Sequence, residues 1–143
     1  MESYISYVKE RRPDIFGLEA RGKLWHDLSE EEISEAPSLN VQQLRALMRE
    51  KPPLIIDTRS TVAYSLEHLP EALNYPLEDL QRILQTSVPF PRERTIVFVC
   101  QHGVFTRPLA AYLTQRGFEA FSLEGGYRAW LNAPEAVRLA ANK

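Results

Sequence analysis

From residue 38 onward, short apolar runs alternate with apolar positions at helical spacing. Val41, Leu44, Leu47 and Met48 recur every three or four residues and predict an amphipathic helix. Asn40, with Gln43 at the reciprocal position of a capping box, opens that helix, and Pro52-Pro53 ends it. Leu54-Ile55-Ile56 is too short for a helix and is bounded by chain breakers, which suits a buried parallel strand. Asp57-Thr58-Arg59-Ser60 leads into a short helical stretch to about Leu66. A turn at His68-Leu69-Pro70 follows, then a weaker strand from Ala72 to Tyr75. Leu77, Leu80, Ile83 and Leu84 return to helical spacing until Pro89-Phe90-Pro91 breaks the chain. Thr95-Ile96-Val97-Phe98-Val99, β-branched and aromatic, is the strongest strand signal, and it ends on Cys100. A helix is predicted from near Thr106, because Pro108 is tolerated in a first turn and Leu109, Ala110, Tyr112 and Leu113 carry it to a left-handed stop at Gly117. Ala120 to Leu123 reads as another strand, Gly125-Gly126 as a turn, and Tyr127 to Leu131 as a last short helix before Pro134. Parallel strands need crossovers, so strands separated by helix-length segments predict an α/β domain with a mostly parallel sheet.

Residues 1–37 have a different character and are read as an N-terminal helical extension, with residues 38–133 as the domain and 134–143 as a tail. Arg11-Arg12-Pro13 and Glu30-Glu31-Glu32 make the extension charge-rich. Ser29 and Glu32 have the spacing of a second capping box, which predicts a helix from about Glu30 to Glu35 with Pro37 stopping it; its glutamates then form a solvated face. A further helix is predicted over Ser3 to Arg12, with Tyr4, Tyr7 and Val8 on one side. Phe16 and Trp25 are costly to expose together, so the extension is expected to pack on the domain or on a protein partner.

Composition narrows the class. At 143 residues, 44% hydrophobic and 25% charged, the chain has the make-up of an ordinary soluble globule with a real core. A net charge of −2 argues against general nucleic-acid binding, which needs a basic face. The longest apolar run, Ile96 to Cys100, is far short of a membrane span, and Met1-Glu2-Ser3-Tyr4 lacks the basic and apolar regions of a secretory signal. A cytoplasmic location without membrane attachment is therefore expected. The single cysteine excludes an intramolecular disulfide, a paired-cysteine redox motif and multi-cysteine metal sites, and the cytoplasm would keep it reduced. The three histidines, His26, His68 and His102, are too scattered to suggest a metal centre, and His68 suits a structural hydrogen bond.

Cys100 lies where an open α/β sheet places its sites, at the carboxyl end of a strand before a helix N-terminus. A tight loop containing Gly103 would point backbone amides inward, and the helix adds its positive dipole end. A thiol at the floor of that anion cradle is favoured as thiolate, the nucleophilic form. A buried thiol that merely ends a strand is the competing reading.

The Cys100-Gln101-His102-Gly103-Val104-Phe105-Thr106 segment, between strand and helix, resembles the active-site loop of the rhodanese-type sulfurtransferases, single-domain members above all. Three further landmarks in order share the likeness: Asp57-Thr58-Arg59, Glu67-His68-Leu69-Pro70-Glu71-Ala72 and Glu124-Gly125-Gly126-Tyr127-Arg128-Ala129-Trp130. The resemblance implies a rhodanese-like fold of about five mostly parallel strands with helices on both faces. It also implies a catalytic Cys100 that takes a sulfane sulfur from thiosulfate or a persulfide, and passes it to a thiol or cyanide, with no metal or organic cofactor. Gln101, His102, Gly103, Val104, Phe105, Thr106 and Arg107 would line the substrate site, with Asp57 and Arg59 in support. Those two charged residues are read as pairing with each other or with loop backbone. Trp130 is read as core, and Gly125-Gly126 as a turn close to the active loop.

Departures from the pattern matter. Thiosulfate-using members usually carry Arg or Lys inside the loop, whereas Val104 and Phe105 stand here, leaving His102 within it and Arg107 at the helix start as sources of charge. Phe105 reads either as a rim that meets a thiol-bearing partner or as an apolar residue tucked under the loop. The related phosphatases and arsenate reductases place Arg six residues after the cysteine; that position is Thr106, and Arg107 is rotated from it by about 100 degrees of helix. A docking or sulfur-carrier module, acting on a protein partner through residues 1–37, is the second reading.

Overall fold

The computed structural model describes residues 27–134. Within them the chain runs α1 (Glu30–Ser34), β1 (Ser38–Leu39), α2 (Val41–Glu50), β2 (Leu54–Asp57), α3 (Thr61–Leu66), β3 (Leu73–Asn74), α4 (Leu77–Ile83), β4 (Ile96–Val99), α5 (Thr106–Gln115), β5 (Ala120–Leu123) and α6 (Gly126–Asn132). The strands form one parallel sheet in the order β1-β5-β4-β2-β3. Strand order reverses between β2 and β4: β2 leads to β3 on one flank and β4 to β5 on the other. A crevice opens beyond the carboxyl ends of strands at such a switch point. Asp57 and Val99, the last residues of β2 and β4, are in register there.

Alternation along the central strands builds two cores. Leu54, Ile56, Ile96, Phe98 and Ala120 face one side, packed against Leu80 and Leu84 around the end of α4 and Leu109, Tyr112 and Leu113 of α5. Ile55, Val97, Val99 and Leu123 face the other side, against Val41 and Leu44 of α2, Tyr64 of α3, and Tyr127 and Trp130 of α6. Full burial of such a side chain stabilises the fold by about 1.5–3 kcal/mol relative to exposure. With both faces covered, β2 and β4 must be apolar throughout, as their sequences are.

The predicted caps hold. Ser29 with Glu32, and Asn40 with Gln43, form reciprocal capping boxes. Helix α5 ends at Gly117 (φ +87°), where the Phe118 amide reaches Leu113 O and the Gly117 amide reaches Thr114 O, a complete left-handed stop. Part of the extension joins the domain: Leu28 is buried in the first core, Ile33 and Ala36 pack on it, and Gln115 Nε2 donates to Glu32 Oε2 at 2.7 Å. The helix predicted over Ser3 to Arg12, together with Phe16 and Trp25, lies outside the described residues. No helix among the described residues is long and apolar enough to cross a membrane.

Strand β1 has no counterpart among the strands read from the apolar pattern. Two residues between Pro37 and Asn40 carry no periodicity; they are a strand because β5 pairs with them, Ser38 with Ser122 and Leu39 with Leu123. Strand β3, read from the sequence as Ala72 to Tyr75, is shorter than that signal and covers Leu73–Asn74.

Burial raises the pKa of Tyr64, Tyr75, Tyr112 and Tyr127 above the ordinary tyrosine value of 10.0. The folded chain thus holds these protons where the unfolded chain has lost them. Their contribution is complete below about pH 10 and is lost as pH rises through the folded values. The denaturant midpoint is expected to fall once pH passes 10, with phenolate absorbance appearing together with unfolding; a midpoint flat from pH 9 to 11 would contradict this.

Candidate active site

Cys100 follows β4 directly and is 95% buried, with the loop that closes on it running to the start of α5. Gly103 turns that loop at φ +82°, in the left-handed region, and its amide donates to Cys100 Sγ at 3.1 Å. A Cβ on Gly103 would lie 2.7 Å from Gly125 N and 2.8 Å from Leu123 O, so only glycine lets the loop settle this deeply. Thr106, the first residue of α5, is fully buried; its Oγ1 lies 3.6 Å from Sγ and 2.7 Å from Ser122 Oγ. Ser122 stands opposite Phe98 in the sheet register, on the same face.

Two structures hold the loop from outside. On one side the β5–α6 turn presses against it: the Tyr127 amide donates to Cys100 O at 2.8 Å and the Arg128 amide to Gln101 O at 3.0 Å. The otherwise unpaired first amides of α6 are thereby satisfied by the loop's carbonyls. On the other side Thr58 gives both its amide (2.7 Å) and its hydroxyl (3.0 Å) to Val99 O, the last carbonyl before the cysteine.

Asp57 and Arg59 pair as expected. The guanidinium grips both carboxylate oxygens at 2.9–3.1 Å, and both side chains are buried. Arg59 also donates to Glu67 O, and its guanidinium lies 4.0 Å from the centroid of the Tyr127 ring. Asn74 Nδ2 adds bonds to Asp57 O and Arg59 O. The pair therefore braces α3, β3 and the start of α6, and through Tyr127 it supports the backbone of Cys100.

The remaining loop residues face outward. Gln101, His102 and Arg107 are exposed, as are Val104 (60%) and Phe105 (66%). Phe105 is thus a rim residue rather than one tucked beneath the loop. At the sixth position after the cysteine the inward side chain is the Thr106 hydroxyl, and Arg107, one residue later, is exposed, so the position at which the related phosphatases carry arginine holds no guanidinium. His68 serves the fold: Nδ1 pairs with Tyr64 O at 2.8 Å and the two rings stack. Residue patterning singled out neither Thr58 nor Ser122 as a contributor here. A serine at the same strand parity as buried Ala120 is the signal that marks Ser122.

Residues 40–133 match the family model for the rhodanese-like domain. The chain belongs to the rhodanese-like family. The sheet order, the strand–cysteine–glycine loop–helix arrangement and the clamp on the loop are this rhodanese-like domain's own means of presenting Cys100. Among its relatives, the thiosulfate sulfurtransferase GlpE of Shewanella oneidensis is 31% identical over 102 residues, covering 71% of this chain and 98% of that one. The human single-domain sulfurtransferase TSTD1 superposes with a TM-score of 0.60 at 25% identity, covering 70% of this chain and 99% of that one. A rhodanese-like domain protein from Staphylococcus aureus does so with a TM-score of 0.57 at 27% identity, covering 66% and 90%. These relatives support sulfur transfer as the general activity of this rhodanese-like domain.

Proposed function

We propose that the protein is a sulfurtransferase in which Cys100 carries a sulfane sulfur as a persulfide. The observation that carries the reading is the thiol at the loop floor, held by the Gly103 amide within a loop whose Gln101, His102, Val104 and Phe105 side chains are exposed. In the first half-reaction the Cys100 thiolate attacks the outer sulfur of the donor. A Cys100 Sγ–S bond forms as the donor's S–S bond breaks, and the electron pair leaves on a thiolate or, from thiosulfate, on sulfite. The loop backbone from Gln101 to Thr106 and the N-terminus of α5 hold the negative charge on the outer sulfur, as an oxyanion hole does. In the second half-reaction an acceptor thiolate or cyanide attacks that outer sulfur and leaves with it, returning Cys100 as thiolate. Two separate half-reactions give ping-pong kinetics. The deciding experiment is the intact mass of the protein after incubation with thiosulfate and with a small organic persulfide. A gain of one sulfur atom is expected; no gain with any donor would reject the reading.

The donor is proposed to be a persulfide in preference to thiosulfate. A dianion needs fixed cations. Arg59 is committed to Asp57, the segment 101–106 contains no Lys or Arg, and Val104 and Phe105 place apolar groups at its opening. Such a rim favours the organic part of a thiol-bearing donor or acceptor, whether small or borne by a protein. The name of the Shewanella relative points the other way, to thiosulfate, so donor choice is tested directly. Val104→Arg is expected to raise kcat/KM for thiosulfate about tenfold, since one charged hydrogen bond contributes about 1.5 kcal/mol or more. The organic persulfide should lose by comparison. Wild-type rates already equal for the two donors, and unchanged in Val104→Arg, would refute the preference.

A further inference from the structure

Ser122 has no evident reason to be there for the fold. It lies in β5 between Phe121 and Leu123 and is 1% exposed, with Phe98 opposite it on β4, Ser38 opposite it on β1 and Ala120 two residues before it on the same face. A hydroxyl in such a place costs stability unless it is hydrogen-bonded, and alanine would fill the site without that cost. Its partner is Thr106 Oγ1 at 2.7 Å, and Thr106 Oγ1 is in turn 3.6 Å from Cys100 Sγ.

We propose that Ser122 is a positioning residue that aims the Thr106 hydroxyl at Cys100 Sγ, and that this pair acts on the inner sulfur when the transferred sulfur is handed on. The inference rests on the persulfide reading of Cys100.

The argument is one of counting protons. Each hydroxyl has a single proton to donate, and a thiolate only accepts. Thr106 sits between Ser122 and the sulfur with no solvent to assist it, being fully buried. If Thr106 gives its proton to Ser122, its lone pairs face the thiolate. If Ser122 donates instead, Thr106 is free to donate to Sγ, and the two bonds polarise each other in the same direction. Only the second order of donation suits a charged sulfur.

The placement separates the two sulfurs. Thr106, backed by Ser122, reaches Sγ from the buried side, whereas an acceptor arrives from solvent past the exposed loop side chains. The outer sulfur must therefore extend away from the hydroxyls. They stabilise the thiolate left on Cys100 when the Sγ–S bond breaks and the acceptor takes the outer sulfur. A thiolate stabilised by a hydrogen bond leaves more readily but attacks more weakly, so the same contact does not speed loading. Removing the relay should slow release far more than loading.

The test is single-turnover kinetics of the two half-reactions on the full chain, loading with an organic persulfide and release to cyanide. Ser122→Ala is expected to slow release about tenfold while loading changes by less than about threefold and the KM for cyanide holds. Ser122→Thr, which keeps the hydroxyl, should restore release. Should Ser122→Ala fail to fold, Thr106→Val removes the same bond from its other end and must show the same asymmetry. Equal slowing of both half-reactions, or release at the wild-type rate, overturns the proposal. Failure of the persulfide reading would appear differently, as a wild-type protein that gains no sulfur mass.

Discussion

Cys100→Ser is expected to reduce sulfur transfer to background and to abolish the mass gain of one sulfur with every donor. The chain contains no other thiol, so nothing can take over the nucleophile's role. A serine hydroxyl at the same place stays protonated, because among the described residues the partners of Cys100 Sγ are the Gly103 amide, a donor, and the Thr106 hydroxyl, which keeps its own proton. The fold should survive, since serine can accept the Gly103 amide as Sγ does and fills slightly less volume. The measurement is steady-state transfer to cyanide alongside intact mass and a thermal unfolding curve. Residual turnover above background, with the unfolding midpoint near wild type, would show that Cys100 does not carry the sulfur.

Gly126→Ala should produce the next largest effect, on stability and activity together. Gly126 adopts φ +61°, and a Cβ there would lie 2.3 Å from Cys100 O, 2.7 Å from Gly103 N and 2.8 Å from Gln101 C. All three are backbone atoms of the active loop, so no side chain can swing aside. Left-handed strain costs about 1–2 kcal/mol and overpacking about 1–3 kcal/mol, so the loss is expected to be about 2–5 kcal/mol. Relief of the clash must move the loop, and a displacement of about 1 Å at a reacting group costs about a hundredfold in rate. Gly117→Ala is the matched control. It also has positive φ (+87°), but its Cβ would meet only the tip of Arg92, at 3.2 Å, so it should lose stability and keep turnover. If Gly126→Ala retained wild-type transfer, the turn before α6 would not be what shapes the loop.

The elements that declare themselves in the chain are those with local causes. Asn40 and Gln43 start α2 through contacts three residues apart, and the end of α5 follows from Gly117. The apolar run in β4 requires cover on both faces, and it has cover on both. Those signals lie within a few residues of the structure they specify. Strand β1 carries no such signal, because its hydrogen bonds come from β5, more than eighty residues away. Thr58 belongs to a landmark visible in the chain, yet its two bonds to Val99 O exist only because β2 and β4 are neighbours in the sheet.

The candidate site divides along the same line. Cys100, the glycine three residues on and the helix that follows are contiguous, so residue type and spacing alone pointed to the candidate nucleophile and to the family that it resembles. Folding decided which loop side chains point in and which point out. Thr106 turns inward because it opens α5 directly above β4 and β5, while Phe105, one residue earlier, is left on the rim. Ser122 joins the site through sheet register, which sets it opposite Phe98 and within reach of Thr106. Asp57 and Arg59 act at a distance, through the Tyr127 ring to the carbonyl of Cys100. Local sequence determines which backbone conformations and reactive groups a segment offers; contacts between distant segments depend on packing, and here packing supplied the hydroxyls and the braces around a thiol that the sequence had already marked.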